Sequence, residues 1–473
     1  MEQLASENLP AVLEATRPEG FAYWGLYPEQ YVDAARRFFA ALRPRRVVVI
    51  GARSIGTTLS SVVESALAGN GVSTESLSVR PSGHPFNRST RFAPAEWDLL
   101  RRGDFERFLI VDEGPGMSGS TLGSIATALL EFGIERERIV FFPSYDTSGS
   151  SFINEEAKRV WQQQRRFVGV FDPGQLVPGD TVDASAGRWR ALFVLPAADR
   201  VLVVPHHERR KYLEYSPKGE PVRLHRYCGL GPTGTATHER ALVLRDSGLV
   251  PNVGPRCDGL MGVDFVPGVP LSSKRQPVEL IETMARYLAF RSEALRTSGP
   301  AGTLTLSHML RTNVSLGLGE DFLQQVDMLT ENAAASSESS CCVDGRMQPH
   351  EWIECATGYM KVDAFDHGDD HFYPGPCDIA WDFAGAAIEF ALSSRALAML
   401  IGGYVERTGD SSISRRMPFY LAAYSAFRMG YCALTKGTLP SDVERHQMGV
   451  SENHYRTRLQ RLLRRPLTLE LES

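Results

Sequence analysis

The sequence predicts an α/β protein in two parts: a parallel-sheet domain over residues 1–185, then a bilobal α+β domain over 190–473. Three observations carry this. Two short, largely apolar runs, Arg46–Ile50 (RVVVI) and Phe108–Val111 (FLIV), each pass through a loop of small residues into an amphipathic helix. That is the order of parallel strands buried on both faces. Beyond residue 185, several short strand candidates precede one helix, as in a small antiparallel sheet.

The first helix carries Leu59, Val62, Val63, Ala66 and Leu67, and the second Leu122, Ile125, Ala126, Leu129 and Leu130, both at helical spacing, with Gly133 as a C-cap. Ile139–Ser144 reads as a further strand and Glu155–Arg166 as a helix. Gly174–Asp180 is a change of texture. After it, Arg190–Leu195, Val201–Val204, Arg209–Tyr215 and Val222–Tyr227 are strand candidates, and Ala236–Arg245 a helix. The small lobe is expected over about 190–268 and the large lobe over about 269–473.

With 473 residues, 43% of them hydrophobic, the chain can build real cores and is not a disordered polymer. A net charge of −5 leaves no nucleic-acid footprint, and Arg461, Arg464 and Arg465 read as a solvated helix end. No apolar stretch approaches the roughly 18 residues of a membrane span. The start, MEQLASENLP, lacks a basic and then apolar leader, so a cytoplasmic protein is expected. The seven cysteines, Cys341 and Cys342 adjacent among them, show no C-x-x-C pairing and read as reduced thiols. Small-molecule substrates are therefore the expected partners, with nucleic acid and membrane set aside and a homodimer left open.

The chemistry concentrates in Phe108–Thr121, FLIVDEGPGMSGST. Asp112 and Glu113 leave the C-terminal end of a strand. Gly116, Ser118, Gly119, Ser120 and Thr121 then offer backbone N–H groups and hydroxyls at a helix N-terminus, the chemistry of a phosphate cradle. An ordinary strand-to-helix turn is the plain alternative. Here the chain resembles the type I phosphoribosyltransferases, with a loop one residue longer than usual and Pro115 where a β-branched residue is common. The resemblance implies that Asp112 and Glu113 hold the ribose hydroxyls of phosphoribosyl pyrophosphate and the Ser118–Thr121 run its 5-phosphate. It also implies that Arg53 and the backbone from Gly51 to Gly56 hold pyrophosphate with Mg²⁺. Val79–Arg88, rich in turn residues and without period, would be a mobile lid bringing Arg80, His84 and Arg88. The aromatic run Phe21–Tyr27, within residues 1–42, is a candidate hood over the acceptor, or simply core.

Farther on, Asp344 stands in VDGRMQPHEWI, Asp363 ends MKVD, and Asp378-Ile379-Ala380-Trp381-Asp382 opens an apolar helix. These residues resemble the aminoglycoside phosphotransferase and choline kinase branch of the protein-kinase-like fold. The resemblance implies Asp344 as catalytic Asp, Asp363 with Glu351 on Mg²⁺, and Leu260–Gly268 as an adenine-pairing hinge for ATP. A strand cation, Lys211 or Arg226, would meet phosphate, and Glu239 would pair with it. Pro349 stands where the family has Asn. Asp363, Asp366, His367, Asp369, Asp370 and His371 form a dense stretch, of which Asp366 and His371 remain open as further metal ligands. Trp352 and Trp381 read as core anchors.

The expectation is a bifunctional enzyme, transferring ribose 5-phosphate to an unknown nucleophile and carrying a small-molecule kinase domain. The alternative is a binding protein that senses a phosphorylated metabolite, with a degenerate kinase-like lobe.

Overall fold

The computed structural model describes residues 18–464 apart from 117, 151, 178–179, 193–200, 274–275, 299–301, 336–339, 367–372, 374 and 440. Two compact units meet at Pro173 and Gly174. Residues 174–185 therefore belong to the second unit rather than the first, because Asp180–Asp183 is a strand of the second unit's sheet.

The first unit contains α1 (Pro28–Leu42), β1 (Arg46–Ala52), α2 (Ile55–Ala68), β2 (Ser73–Val79), β3 (Ser82–His84), β4 (Asn87–Ser89), α3 (Pro94–Arg102), β5 (Arg107–Val111), α4 (Ser120–Glu131), β6 (Ile139–Phe142), α5 (Glu155–Gln163) and β7 (Arg165–Arg166). A five-stranded sheet runs in the order β2-β1-β5-β6-β7, every pair parallel. Val47–Ile50 and Leu109–Val111 have no measurable exposure, as apolar runs covered on both faces require. Leu59, Val63 and Leu67 pack on one face of the sheet and Leu122, Ile125, Ala126 and Leu129 on the other. Gly133, at φ 96°, closes α4 by donating its N–H to Leu130 O.

Two expectations fail here. Within Val79–Arg88, expected to lack strand structure, Ser82–His84 and Asn87–Ser89 pair as an antiparallel hairpin. The helix expected to reach Arg166 stops at Gln163, because the Gln164 amide donates to Ile139 O and Arg136 O and the chain then joins the sheet as β7.

The second unit opens with β8 (Asp180–Asp183), β9 (Lys211–Tyr215), β10 (Pro221–Tyr227), α6 (Gly231–Arg245), β11 (Val253–Cys257) and β12 (Leu260–Asp264). These strands form an antiparallel sheet, β11-β12-β10-β9-β8, with its one long helix inserted after the third strand. Val201–Val204 is not a strand; Val203 and Val204 are buried outside any ladder. Arg190 lies in a short helix, Trp189–Leu192, and 193–195 fall outside the described residues.

Beyond Asp264 come β13 (Val269–Pro270), α7 (Val278–Ala294), β14 (Arg296–Thr297), α8 (Thr303–Leu318), α9 (Leu323–Ala334), β15 (Ser340–Cys341), β16 (Trp352–Cys355), β17 (Gly358–Lys361), α10 (Ala380–Glu389), α11 (Ser394–Thr408), α12 (Ile413–Thr435) and α13 (Asp442–Arg464). Trp352 and Trp381 sit fully buried in one large apolar core with Tyr287, Phe383 and Tyr424. All seven cysteines are free thiols. Among the described residues no helix is long and apolar enough to cross a membrane.

Candidate functional site

In the first unit, parallel topology brings the loops after β1 and β5 together at the C-terminal end of the sheet's strands. Gly51 and Gly56 are dictated by close approach. A Cβ on Gly51 would stand 2.4 Å from Gly56 O, and one on Gly56 would stand 2.7 Å from Val111 O and 3.4 Å from Asp112 Oδ1. The two loops are thus in van der Waals contact beside the acidic pair. Arg53 is exposed and donates to Ser78 Oγ (3.0 Å) and Ser78 O (3.2 Å) at the end of β2.

Tyr31 of α1 donates its hydroxyl to Asp112 O at 2.7 Å, fixing the end of β5. Burial pushes the Asp112 carboxyl up to about 7, against the opposing pull of the Glu113 N–H and the Arg88 charge. Glu113 Oε2 accepts the Gly20 N–H at 3.1 Å, which brings the turn Gly20–Trp24 against the acids. Tyr23 and Trp24 meet edge to face there, and Tyr23 is buried, so the aromatic run lies at the site while belonging partly to the core.

Beyond the acids, Gly116 and Gly119 both adopt φ 64°, and α4 starts at Ser120, whose N–H donates to Ser118 Oγ at 3.2 Å. Thr121 is half-buried in that first turn. Ser118 and Ser120 differ from expectation. Their hydroxyls are not open donors: they lie 2.8 Å apart, with Pro85 O at the hairpin tip 3.2 and 2.8 Å away, and two protons are shared among these three contacts. The hairpin is therefore docked: Asn154, which caps α5 by accepting from Ala157 N, also donates to Phe86 O at 3.0 Å. On the hairpin and the residues leading into it, Arg80 and His84 are exposed, and Arg88 donates to Pro81 O.

The second unit gathers its predicted residues around a charged core. Arg226, near the end of β10, is buried and bonds Asp363 Oδ1, and its second nitrogen meets Asp366 Oδ1 at 2.8 Å. Arg209 meets the other Asp366 oxygen at 3.1 Å. Lys211, at the start of β9, instead pairs with Glu208 at 2.9 Å. Glu239 does not pair with Arg226; it is exposed on α6, and its neighbour Arg240 faces inward to Phe365 O at 3.0 Å.

Asp344 is fully buried. Its backbone N–H and that of Gly345 both donate to the Asp382 carboxylate of α10, at 2.7 and 2.9 Å. Its own carboxylate accepts from Tyr287 and lies 3.4 Å from Lys361 Nζ. Burial, and then the Asp344 charge, push Asp382 up to about 7. Arg291 of α7, unremarked in the sequence, ties the arrangement together by donating to Cys342 O, Val343 O and Ala364 O at 2.8–3.0 Å. Only its place in an apolar helix face, YLAFRSEA, hinted at burial.

The Mg²⁺ implied by Asp363 and Glu351 does not fit these residues. Lys361 at the end of β17 is fully buried, and its ammonium sits among Glu351 Oε2 (3.0 Å), Asp344 Oδ2 and Asp363 O. Glu351 Oε1 meets Arg346 at 3.0 Å. Among the described residues no group of His, Cys, Asp and Glu is placed to hold a metal. His367, Asp369, Asp370 and His371 lie outside the described residues.

No protein-family description matches the chain, and no curated protein matches it in sequence. Among solved structures it is similar to an ethanolamine kinase of Plasmodium vivax, with TM-score 0.39, 12% identity and coverage of 53% of this chain and 79% of that one. It is also similar to a choline/ethanolamine kinase family protein of Mesorhizobium loti (TM-score 0.40, 15% identity, 55% and 86% covered). A choline kinase of Streptococcus pneumoniae gives TM-score 0.38 at 14% identity, covering 59% and 96%.

Proposed function

We propose that the first unit binds phosphoribosyl pyrophosphate and transfers its ribose 5-phosphate to a nucleophile, and that the second unit is a kinase-like lobe pair. One observation carries the first half of this reading. The acid pair after β5 and the Gly51–Gly56 segment at the end of β1 meet at the C-terminal end of two neighbouring parallel strands, where Gly56 has no room for a side chain beside Val111 O and Asp112.

Asp112 and Glu113 would accept the ribose hydroxyls and set the ring's orientation, a contribution that is largest when the reacting atoms are already aligned. The first turn of α4, beyond the Ser120 N–H that Ser118 holds, would supply N–H groups for the 5-phosphate. Arg53 supplies charge for the diphosphate. The bond between ribose C1 and the diphosphate oxygen breaks, that oxygen keeps the electron pair, and the acceptor's lone pair forms the new bond to C1. Excess positive charge on the ribose is then flanked by the two carboxylates.

For the second unit, the support is the strand order β8-β9-β10-β12-β11, the helix after the third strand, and Arg226 on that strand paired with Asp363. ATP would lie along Leu260–Gly268 with its phosphates toward Arg226. The sensing alternative is favoured by a specific observation: Arg226, Asp363 and Asp344 are already engaged within the protein. Pyrophosphate release decides between the readings. The enzyme reading expects release from phosphoribosyl pyrophosphate when acceptor mixtures are added, and its loss in Asp112→Asn. Binding that Asp112→Asn weakens, with no release under any acceptor, would leave only the sensor.

A further inference from the structure

We propose that Lys361 is a built-in cation standing in for a divalent metal in the second unit, so that this cleft takes up no Mg²⁺ or Mn²⁺. The inference rests on the kinase-like reading of that unit, and concerns how its carboxylates are neutralised. An ammonium has three donors; Lys361 gives hydrogen bonds to Glu351 Oε2 and to the Asp363 backbone O, and pairs with the Asp344 carboxylate at 3.4 Å. These three residues come from the loop after β15, the turn before β16 and the residues after β17. They converge on one buried atom.

The neighbouring charges are also matched in place. Glu351 is shared with Arg346, Asp363 with Arg226, and Asp366 with Arg226 and Arg209. Mg²⁺ needs oxygens at about 2.0–2.1 Å in near-octahedral order. The Lys361 oxygens are instead spaced around a nitrogen, and a metal entering among them would meet a buried positive charge at close range. Removing the ammonium reverses the situation, leaving carboxylates buried without their counter-ion, which a divalent cation can answer.

The test is Mn²⁺ uptake by the full chain, followed by the electron paramagnetic resonance of free Mn²⁺. It is run in an Asp112→Asn, Glu113→Gln background that silences the first unit's acids. Expected is no stoichiometric Mn²⁺ site in this background, and one new site, at least tenfold tighter than residual uptake, once Lys361→Ala is added. A folded Lys361→Ala protein that gains no site overturns the proposal. Should Lys361→Ala not fold, the background chain still decides: stoichiometric Mn²⁺ binding that Glu351→Gln abolishes overturns the proposal, and its absence supports it. ATP titration without metal separates this from the kinase-like reading itself, since ATP binding that strictly requires Mg²⁺ refutes the inference, whereas failure to bind ATP at all counts against the lobe reading alone.

Discussion

Asp112 combines a partly buried carboxyl with a backbone fixed by Tyr31. Its folded value of about 7 exceeds an unfolded value of about 3.9. The folded state therefore holds the proton more tightly, and this group's contribution to stability falls as pH rises from about 4 to about 7. Hydroxyl recognition runs the other way, because the ionised carboxylate is the stronger acceptor. Affinity for phosphoribosyl pyrophosphate is expected to rise between pH 6 and pH 8, with Asp112→Asn at least tenfold weaker and losing that rise; calorimetric titration across pH checks both. Gly56→Ala forces a Cβ to 2.7 Å from Val111 O. It should cost about 1–3 kcal/mol, read from denaturant midpoints, and lower ligand affinity as well.

Single residues also mark where sequence reading stopped. Asp344 and Asp363 were visible through the family resemblance of VDGRMQPHEWI and MKVD. Lys361 was not, since a lysine in GYMKVD looks like any solvated strand residue, and only Glu351 and Asp344, distant in sequence, make it a buried one. Arg291 was hidden in the same way.

Elements follow a similar rule. β1 and β5 were legible because both faces are covered, which leaves an unbroken apolar run. The β3–β4 hairpin was not, because its residues are mostly exposed and carry no alternation. Its position depends on what it docks against. Asn154 serves two elements, capping α5 and holding Phe86 O. Asn154→Ala is expected to cost about 1 kcal/mol in thermal or chemical unfolding, and to raise hydrogen exchange in the hairpin more than elsewhere in the unit. In the second unit, Asp382 performs the comparable task for the loop before β16. Asp382→Ala leaves the Asp344 and Gly345 N–H groups without their acceptor, at about 1–3 kcal/mol each.

At the scale of the molecule, the division after Pro173 separates two sheets with independent cores. The boundary expected from sequence, between 185 and 190, falls later than this, although the change in texture at Gly174–Asp180 adjoins the division. Pieces cut after Pro173 are expected to fold separately. Phosphoribosyl pyrophosphate should raise the melting temperature of the first alone, and differential scanning calorimetry of the whole chain should resolve two transitions.

The docked hairpin sets a clock on the first unit. Pro85 O lies within hydrogen-bond reach of the Ser118 and Ser120 hydroxyls, so on the proposed phosphate-binding reading ligand and hairpin tip compete for the same donors. On that reading the tip lifts before the phosphate is seated. Stopped-flow association should therefore level off at high ligand concentration, at the rate of hairpin release. Ser118→Ala with Ser120→Ala would raise that plateau while weakening the complex, turning a slow, tight encounter into a fast, leaky one.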